Sequence, residues 1–354
     1  MDLSSRSHPD ELLIFPAENP ESTLPFHTCQ QNDGNEDSMR KNMREDVTNW
    51  NEPPPEDPTF LERIVGDSTA DDVRCLRFAM LGCEPNVPYG PIDHTAQLFM
   101  DLFSKAALAT RPKSCWRIAV KTFDVQKFQY PKDQEEWDSF DGVWIPGSFA
   151  SAYDRKDWID QLCETIQQEI VSRERKTLGI CFGHQILAHS FPDGTATPVP
   201  TGARAGRYVM STTPEGWSML GGKDSFDLYF THGDMVEKLP SNAVSLGGSE
   251  AIPIQAAAYF RKNEQSSLET LAPASPYAIS FQAHPEFSTS KDLGVYRTLE
   301  LIMDAMQQRG SLTMDERLAA GEDAHKSYQA VQEDNVQIMV SVGKLLGWLP
   351  PDES

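Results

Sequence analysis

The sequence predicts an α/β fold of three layers, a mainly parallel sheet flanked by helices, and three observations lead there. Short apolar runs alternate with longer amphipathic stretches between residues 76 and 305, as strand–helix crossovers require. Their spacing suits a sheet covered on both faces. Two of the runs end in glycine-bearing turns, Pro146-Gly147-Ser148 and Gly179-x-Cys181-x-Gly183. In such sheets ligands bind at the carboxyl ends of the strands.

The elements follow in order. Residues 76–81 read as the first strand, residues 82–90 as a loop, and residues 93–107 as a helix with Leu98, Leu102 and Phe103 on one side. Residues 116–120 and 141–145 are the next strands. A helix over residues 156–173 carries Trp158, Leu162, Ile166 and Ile170 at helical spacing. The strand ending at Cys181 then runs directly into another helical pattern. Residues 191–220 are rich in Pro, Thr and Gly and read as short strands and turns. Further strands are expected at residues 226–230, 254–260 and 278–281, and a helix at residues 291–308 with Leu293, Tyr296, Leu299 and Ile302 on its apolar side. From residue 311 a helical stretch places Tyr328, Val331, Ile338, Val342 and Leu345 at helical spacing.

Charge divides the chain of 354 residues unevenly. The formal net charge is −22, and residues 1–72 hold 17 acidic against 5 basic side chains. That segment, with its run Glu52-Pro53-Pro54-Pro55-Glu56-Asp57-Pro58, shows no sustained periodicity. It reads as an acidic, largely disordered tail that serves solubility rather than docking. The expected organisation is thus a tail over 1–72, an α/β domain over 73–310 and a helical extension over 311–354. Nucleic acid and anionic membrane both reward basic patches, so neither is an expected partner. No apolar run approaches the ~18 residues of a membrane span. Six scattered cysteines without metal-ligand spacing suit free thiols in a reducing, cytoplasmic setting.

Chemistry concentrates at Cys181. A reactive atom between two glycines at a strand-to-helix junction is how a chain presents a nucleophile on a sharp turn. The positive end of the following helix favours negative charge on the sulfur. A buried structural cysteine would fit equally without a partner base. His284-Pro285-Glu286 supplies one: in an extended segment residues two apart project to the same side, so Glu286 can fix the His284 tautomer.

These motifs resemble the class I (triad-type) glutamine amidotransferase domains, whose fold is flavodoxin-like, and among them stand-alone proteins similar to the glutaminase half of GMP synthase. Four islands carry the resemblance: residues 145–148 with Tyr153-Asp154 and Trp158-Ile159; residues 179–188; His232-Gly233-Asp234; and residues 281–287. The resemblance implies Cys181 as nucleophile, His284 as general base and acid, and Glu286 as orienting carboxylate. It implies an oxyanion hole at backbone N–H groups of Gly147, Ser148 and Phe182. Gln185, His232, Gly233 and Asp234 would line the pocket for a γ-glutamyl group, though the last three read as well as a structural turn. The expected substrate is glutamine or another γ-glutamyl compound, with neither metal nor organic cofactor.

The chain departs from the family after Ala188, where His189-Ser190-Phe191-Pro192-Asp193 stands in place of the usual Leu-Gly-Gly-basic-Val stretch. Gly221-Gly222-Lys223-Asp224-Ser225 resembles the pyrophosphate loop of the family's synthetase partners, but no ATP-binding domain follows it, and it reads as a turn. Ammonia would then pass to a separate synthetase or acceptor protein. Three functions compete: glutamine hydrolysis to glutamate and ammonia, cleavage of γ-glutamyl peptides or glutathione conjugates, and a non-catalytic interaction protein of the same fold.

Overall fold

A computed structural model describes residues 57–351, apart from 68, 70–71, 85–90, 262–274 and 289–294. In chain order come β1 (Phe60–Gly66), β2 (Val73–Gly82), α1 (Ile92–Thr110), β3 (Cys115–Asp124), α2 (Gln134–Asp138), β4 (Gly142–Ile145) and α3 (Asp157–Thr165). β5 (Thr177–Ile180), α4 (Phe182–His189), β6 (Thr195–Pro198), β7 (Arg204–Thr212), α5 (Pro214–Met219), β8 (Ser225–His232) and β9 (Asp234–Lys238) follow. β10 (Ala243–Gly248), β11 (Ala256–Tyr259), β12 (Ala278–Phe281), α6 (Val295–Gln308) and α7 (Met314–Leu345) complete it.

Ten strands form one sheet in the order β1-β3-β2-β4-β5-β12-β11-β10-β7-β8, while β6 and β9 pair separately. Pairing is parallel from β3 through β2, β4 and β5 to β12. Outside that block every neighbour is antiparallel. The sheet is therefore mixed, and its parallel block is the part the strand–helix alternation predicts. β10 escapes sequence reading because its last residues, Leu246-Gly247-Gly248, look like a turn.

The tail expected over residues 1–72 is corrected at its end. Phe60–Gly66 is an edge strand, antiparallel to β3. Burial alternates along it, and the inward Arg63 pairs with Asp101 of α1 at 3.2 Å. Acidic, proline-rich neighbours hide this period-2 signal in composition counts. Residues 1–56 of the expected tail, residues 85–90 of the expected loop and residues 291–294 of the expected helix, Leu293 included, lie outside the described residues.

The stretch expected as an extension is built into the core. α7 starts with a capping box between Thr313 and Glu316, which satisfies N–H groups the first turn would leave unpaired. It buries Val331, Ile338, Met339 and Val342 completely or nearly so, each worth about 1.5–3 kcal/mol against exposure. Beyond it Trp348 packs edge-on against Phe78 of β2, and its indole N–H donates to the Asp141 carbonyl at 2.9 Å. Gly221-Gly222-Lys223 is a turn with positive φ at both glycines. The Lys223 ammonium binds the buried Asp334 carboxylate of α7, whose second oxygen accepts from the Asp227 N–H at 2.6 Å.

Candidate active site

β5 is buried along its whole length between β4 and β12. It ends at Cys181, whose φ of 53° and ψ of −106° are unusual for a side-chain-bearing residue. Such a backbone costs on the order of 1–3 kcal/mol and persists only where the surroundings enforce it. They do so here. The Cys181 N–H donates to Phe281 O at 2.8 Å, and the Cys181 carbonyl accepts from the Gln185 N–H at 3.1 Å. The glycine two residues on is a steric requirement, because a Cβ on Gly183 would lie 2.0 Å from the Ile145 carbonyl oxygen. The first turn of α4 is thereby pressed against the end of β4, with its N–H groups beside Cys181. The Sγ atom lies 3.8 Å from the Thr231 carbonyl oxygen.

β12 ends one strand away from β5 and delivers His284. Its N–H donates to Tyr229 O at 2.8 Å, its ring stacks on Phe287 at 4.1 Å, and its Nδ1 lies 2.8 Å from Glu286 Oε1. His284 and Glu286 do meet, but not through strand alternation. Residues Pro285–Ser288 form a 3₁₀ turn, which folds the carboxylate back onto the ring. Burial disfavours the imidazolium, yet negative charge at Cys181 and Glu286 outweighs burial and pushes the His284 pKa up to about 10. With Nδ1 committed to the carboxylate, Nε2 is the buried nitrogen left for Cys181, to which His284 is coupled.

Gly147, on the turn after β4, adjoins both the sulfur and the imidazole. A Cβ there would sit 3.1 Å from His284 Cε1 and 3.8 Å from Cys181 Sγ. The structure therefore brings Cys181, His284, Glu286 and the Gly147-Ser148 turn together at the strand ends, with Phe182 opening α4 beside them. The Ser148 hydroxyl and the Phe149 N–H both donate to Glu84 Oε2 at 3.0 Å. Glu84 was missed in the sequence, although the parallel register of Met80 with Trp144 carries it opposite Ser148.

The expected pocket residues mostly bind one another. Gln185 Nε2 donates to the Asp234 carbonyl and to Gln282 Oε1, both at 3.1 Å. The Asp234 carboxylate accepts from Ser151 Oγ at 2.6 Å and from the Tyr153 hydroxyl at 2.7 Å, so it ties the loop after β4 to the β8–β9 turn. His232 is held neutral, its pKa pushed down to about 3 by burial, with His284 and Arg204 adding repulsion. Its Nδ1 faces the Asp234 carbonyl at 2.8 Å and must carry the proton, which leaves the buried, unpartnered Nε2 an acceptor. A side chain at Gly233 would meet nothing within 4 Å, so the turn faces open space there.

Comparison with known proteins bears on the family and the fold. The model of the class-I glutamine amidotransferase family matches residues 115–297. A glutamine amidotransferase-like protein of Schizosaccharomyces pombe is 30% identical over 180 residues, 49% of this chain and 64% of that protein. Gamma-glutamyl peptidase 5 of Arabidopsis thaliana is 29% identical over 179 residues, 47% of this chain and 61% of the peptidase. The chain thus spans less than two thirds of either relative's length. A glutamine amidotransferase from Thermotoga maritima shares the fold with a TM-score of 0.52 at 18% identity, over 77% of this chain and 98% of that one. One from Methylobacillus flagellatus gives 0.51 at 16%, over 80% and 98%. With the family model spanning more than half of its residues, the chain belongs to the class-I glutamine amidotransferase family.

Proposed function

We propose that this protein cleaves γ-glutamyl amide bonds through a thioester on Cys181, with glutamine as substrate and glutamate and ammonia as products. The observation that carries the reading is the convergence beside Gly147, where an added Cβ would lie 3.8 Å from Cys181 Sγ and 3.1 Å from the ring of a His284 held 2.8 Å from Glu286. An amide is a poor electrophile, so a sulfur anion paired with an imidazolium is the group to attack it. Attack forms the C–S bond and an oxyanion, which backbone N–H groups of Gly147, Ser148 and Phe182 stabilise. His284 Nε2 gives its proton to the leaving nitrogen as the C–N bond breaks. The same nitrogen then takes a proton from water, whose oxygen displaces the sulfur and releases glutamate. Glu286 keeps the Nδ1 tautomer throughout.

His232 Nε2, Gly233 and the Gln185–Asp234 link form the pocket wall in this reading, with His232 accepting from the substrate. The ammonia passes to a separate synthetase or acceptor protein. The five described cysteines are free, which supports a reducing, cytoplasmic setting; among the described residues no helix is long and apolar enough to cross a membrane. The test is covalent labelling with a glutamine-like diazoketone, read by mass spectrometry at Cys181, together with glutamate release. Absence of both sinks the proposal.

A second reading keeps the thioester and changes the leaving group to the amine of a γ-glutamyl peptide. It is favoured by the likeness to Arabidopsis thaliana proteins named gamma-glutamyl peptidase 5 and gamma-glutamyl peptidase 3, 29% and 32% identical over 179 and 139 residues. Parallel assays with glutamine and a γ-glutamyl dipeptide separate the two, since turnover of the dipeptide alone identifies a peptidase.

A further inference from the structure

We infer that Glu84 is a positioning residue of this site, gripping the Gly147-Ser148 turn so that its N–H groups are aimed at the oxyanion. The inference rests on the proposed role of that turn and adds the device that holds it.

Glu84 lies just beyond β2, and its placement follows from the sheet. β2 and β4 are parallel neighbours with Met80 opposite Trp144. Carried four residues on, past the ends of both strands, the same register sets Glu84 opposite Ser148. One carboxylate oxygen, Oε2, accepts from Ser148 Oγ and from the Phe149 N–H, each at 3.0 Å. Ser148 Oγ in turn accepts from the Ala150 N–H at 3.1 Å. These bonds fix Ser148 on both sides of its Cα. The hydroxyl bond sets the side-chain torsion, and the bond to the next N–H sets ψ. The peptide plane between Gly147 and Ser148 then has little freedom to rotate away from Cys181.

A carboxylate is an expensive way to hold a turn. Burial pushes the Glu84 carboxyl up, and the bonds from Phe149 and Ser148 only partly offset this. Arg309 and Lys156 help through space, and Arg309 also lies 4.1 Å over the Phe149 ring. Two donors on one charged oxygen give a stiffer anchor than a hydroxyl or water, because hydrogen bonds to an ionised acceptor are about twice as strong as neutral ones. Glu84 also shares a small cleft with Gly147, His284 and Glu286, so the anchor adjoins the site.

The test compares wild type, E84A and E84Q in the full chain, with glutamine and a γ-glutamyl dipeptide as substrates. Alongside, the rate of iodoacetamide alkylation at Cys181 is followed by peptide mass spectrometry. In alkylation the sulfur attacks the methylene carbon of iodoacetamide, the C–S bond forming as the C–I bond breaks and iodide leaves, and no oxyanion arises, so it reads the nucleophile without the turn. E84A is expected to lower kcat about ten- to hundredfold on whichever substrate the wild type uses, since small misplacements of catalytic donors cost that much. KM and the alkylation rate are expected to stay near the wild-type values. E84Q, whose amide oxygen accepts the same two bonds without the charge, is expected to recover part of kcat. Should E84A not fold, Ser148→Ala removes one of the two bonds and is expected to give the same split with a smaller loss. The inference is overturned by wild-type kcat in the truncated variant, by kcat and alkylation falling together, or by E84Q being as slow as E84A. A wild type that turns over neither substrate overturns the functional reading itself, and the inference with it.

Discussion

Gly183 sits so close beneath Ile145 that its Cα hydrogen faces the Ile145 carbonyl where a methyl group would lie 2.0 Å from the oxygen. This contact fixes the distance between the end of β4 and the start of α4, and hence between the Gly147 turn and Cys181. Gly183→Ala is expected to destabilise the fold by about 1–3 kcal/mol or more, the range for overpacking a tight interior, and to abolish turnover. Urea unfolding and a glutamate-release assay check both; unchanged activity with a normal melting transition contradicts the steric argument.

The His284–Glu286 bond predicts a kinetic effect. Glu286→Gln removes the charge that holds the tautomer, and loss of such an orienting carboxylate costs about 10⁴ in kcat in a comparable triad. A fall of at least about 10²-fold is expected here, together with a lower melting temperature at neutral pH, because the charge that stabilises the buried imidazolium is lost. Steady-state kinetics beside thermal melting give the answer.

His284 also makes stability depend on pH. Its folded pKa of about 10 lies above the ordinary 6.5, so the folded state holds the proton more tightly. The resulting stabilisation is complete below about pH 6.5 and is lost as pH rises through about 10. Urea midpoints are expected to fall across that window in the wild type. The fall should be shallower in Cys181→Ala, which lacks one of the two negative charges responsible.

Asp334 offers a contrast outside the site. Its carboxylate serves Lys223 and the Asp227 N–H, and Asp334→Ala leaves both groups short of a partner. A loss of roughly 1–3 kcal/mol is expected, with kcat retained at 25 °C. Because the Gly-Gly-Lys loop is read as a turn, ATP or pyrophosphate should not raise the melting temperature of the wild type.

The bridge from Asp234 to Ser151 and Tyr153 joins the two loops beside the pocket. Tyr153→Phe removes one of its bonds and no atom near the sulfur. It is expected to raise KM a few-fold and leave kcat within about a factor of two, as loss of uniform binding does. A kcat effect of tenfold or more would place Tyr153 in the chemistry.

Much of the site is legible in the sequence because its signals are local. The elbow is five consecutive residues whose glycines answer a steric need, and His284-Pro285-Glu286 is three. Even there the physical reason differs, since a 3₁₀ turn rather than an extended segment joins ring to carboxylate. Glu84 is not legible, because its meaning depends on the register between β2 and β4, which no local pattern encodes. The antiparallel half of the sheet is hidden for a similar reason. β1 reads as part of an acidic tail and β10 as a glycine turn until a neighbouring strand gives each a partner. Gln185 and Asp234 are placed by their motifs, but the bond between the Gln185 side chain and the Asp234 carbonyl joins residues far apart in the chain, and no local pattern encodes it.

The packing of Trp348 on Phe78 and Gly142 has a consequence for how the protein is made. On the ribosome, β2 and β4 emerge long before the segment that seals their apolar face, and chains are built N-terminal end first. Until residues 338–349 leave the exit tunnel, Phe78, Phe103 and Trp144 have no lid on that side. The elbow at Cys181 waits in the same way for Phe281, which lies far downstream of it and whose carbonyl accepts the Cys181 N–H.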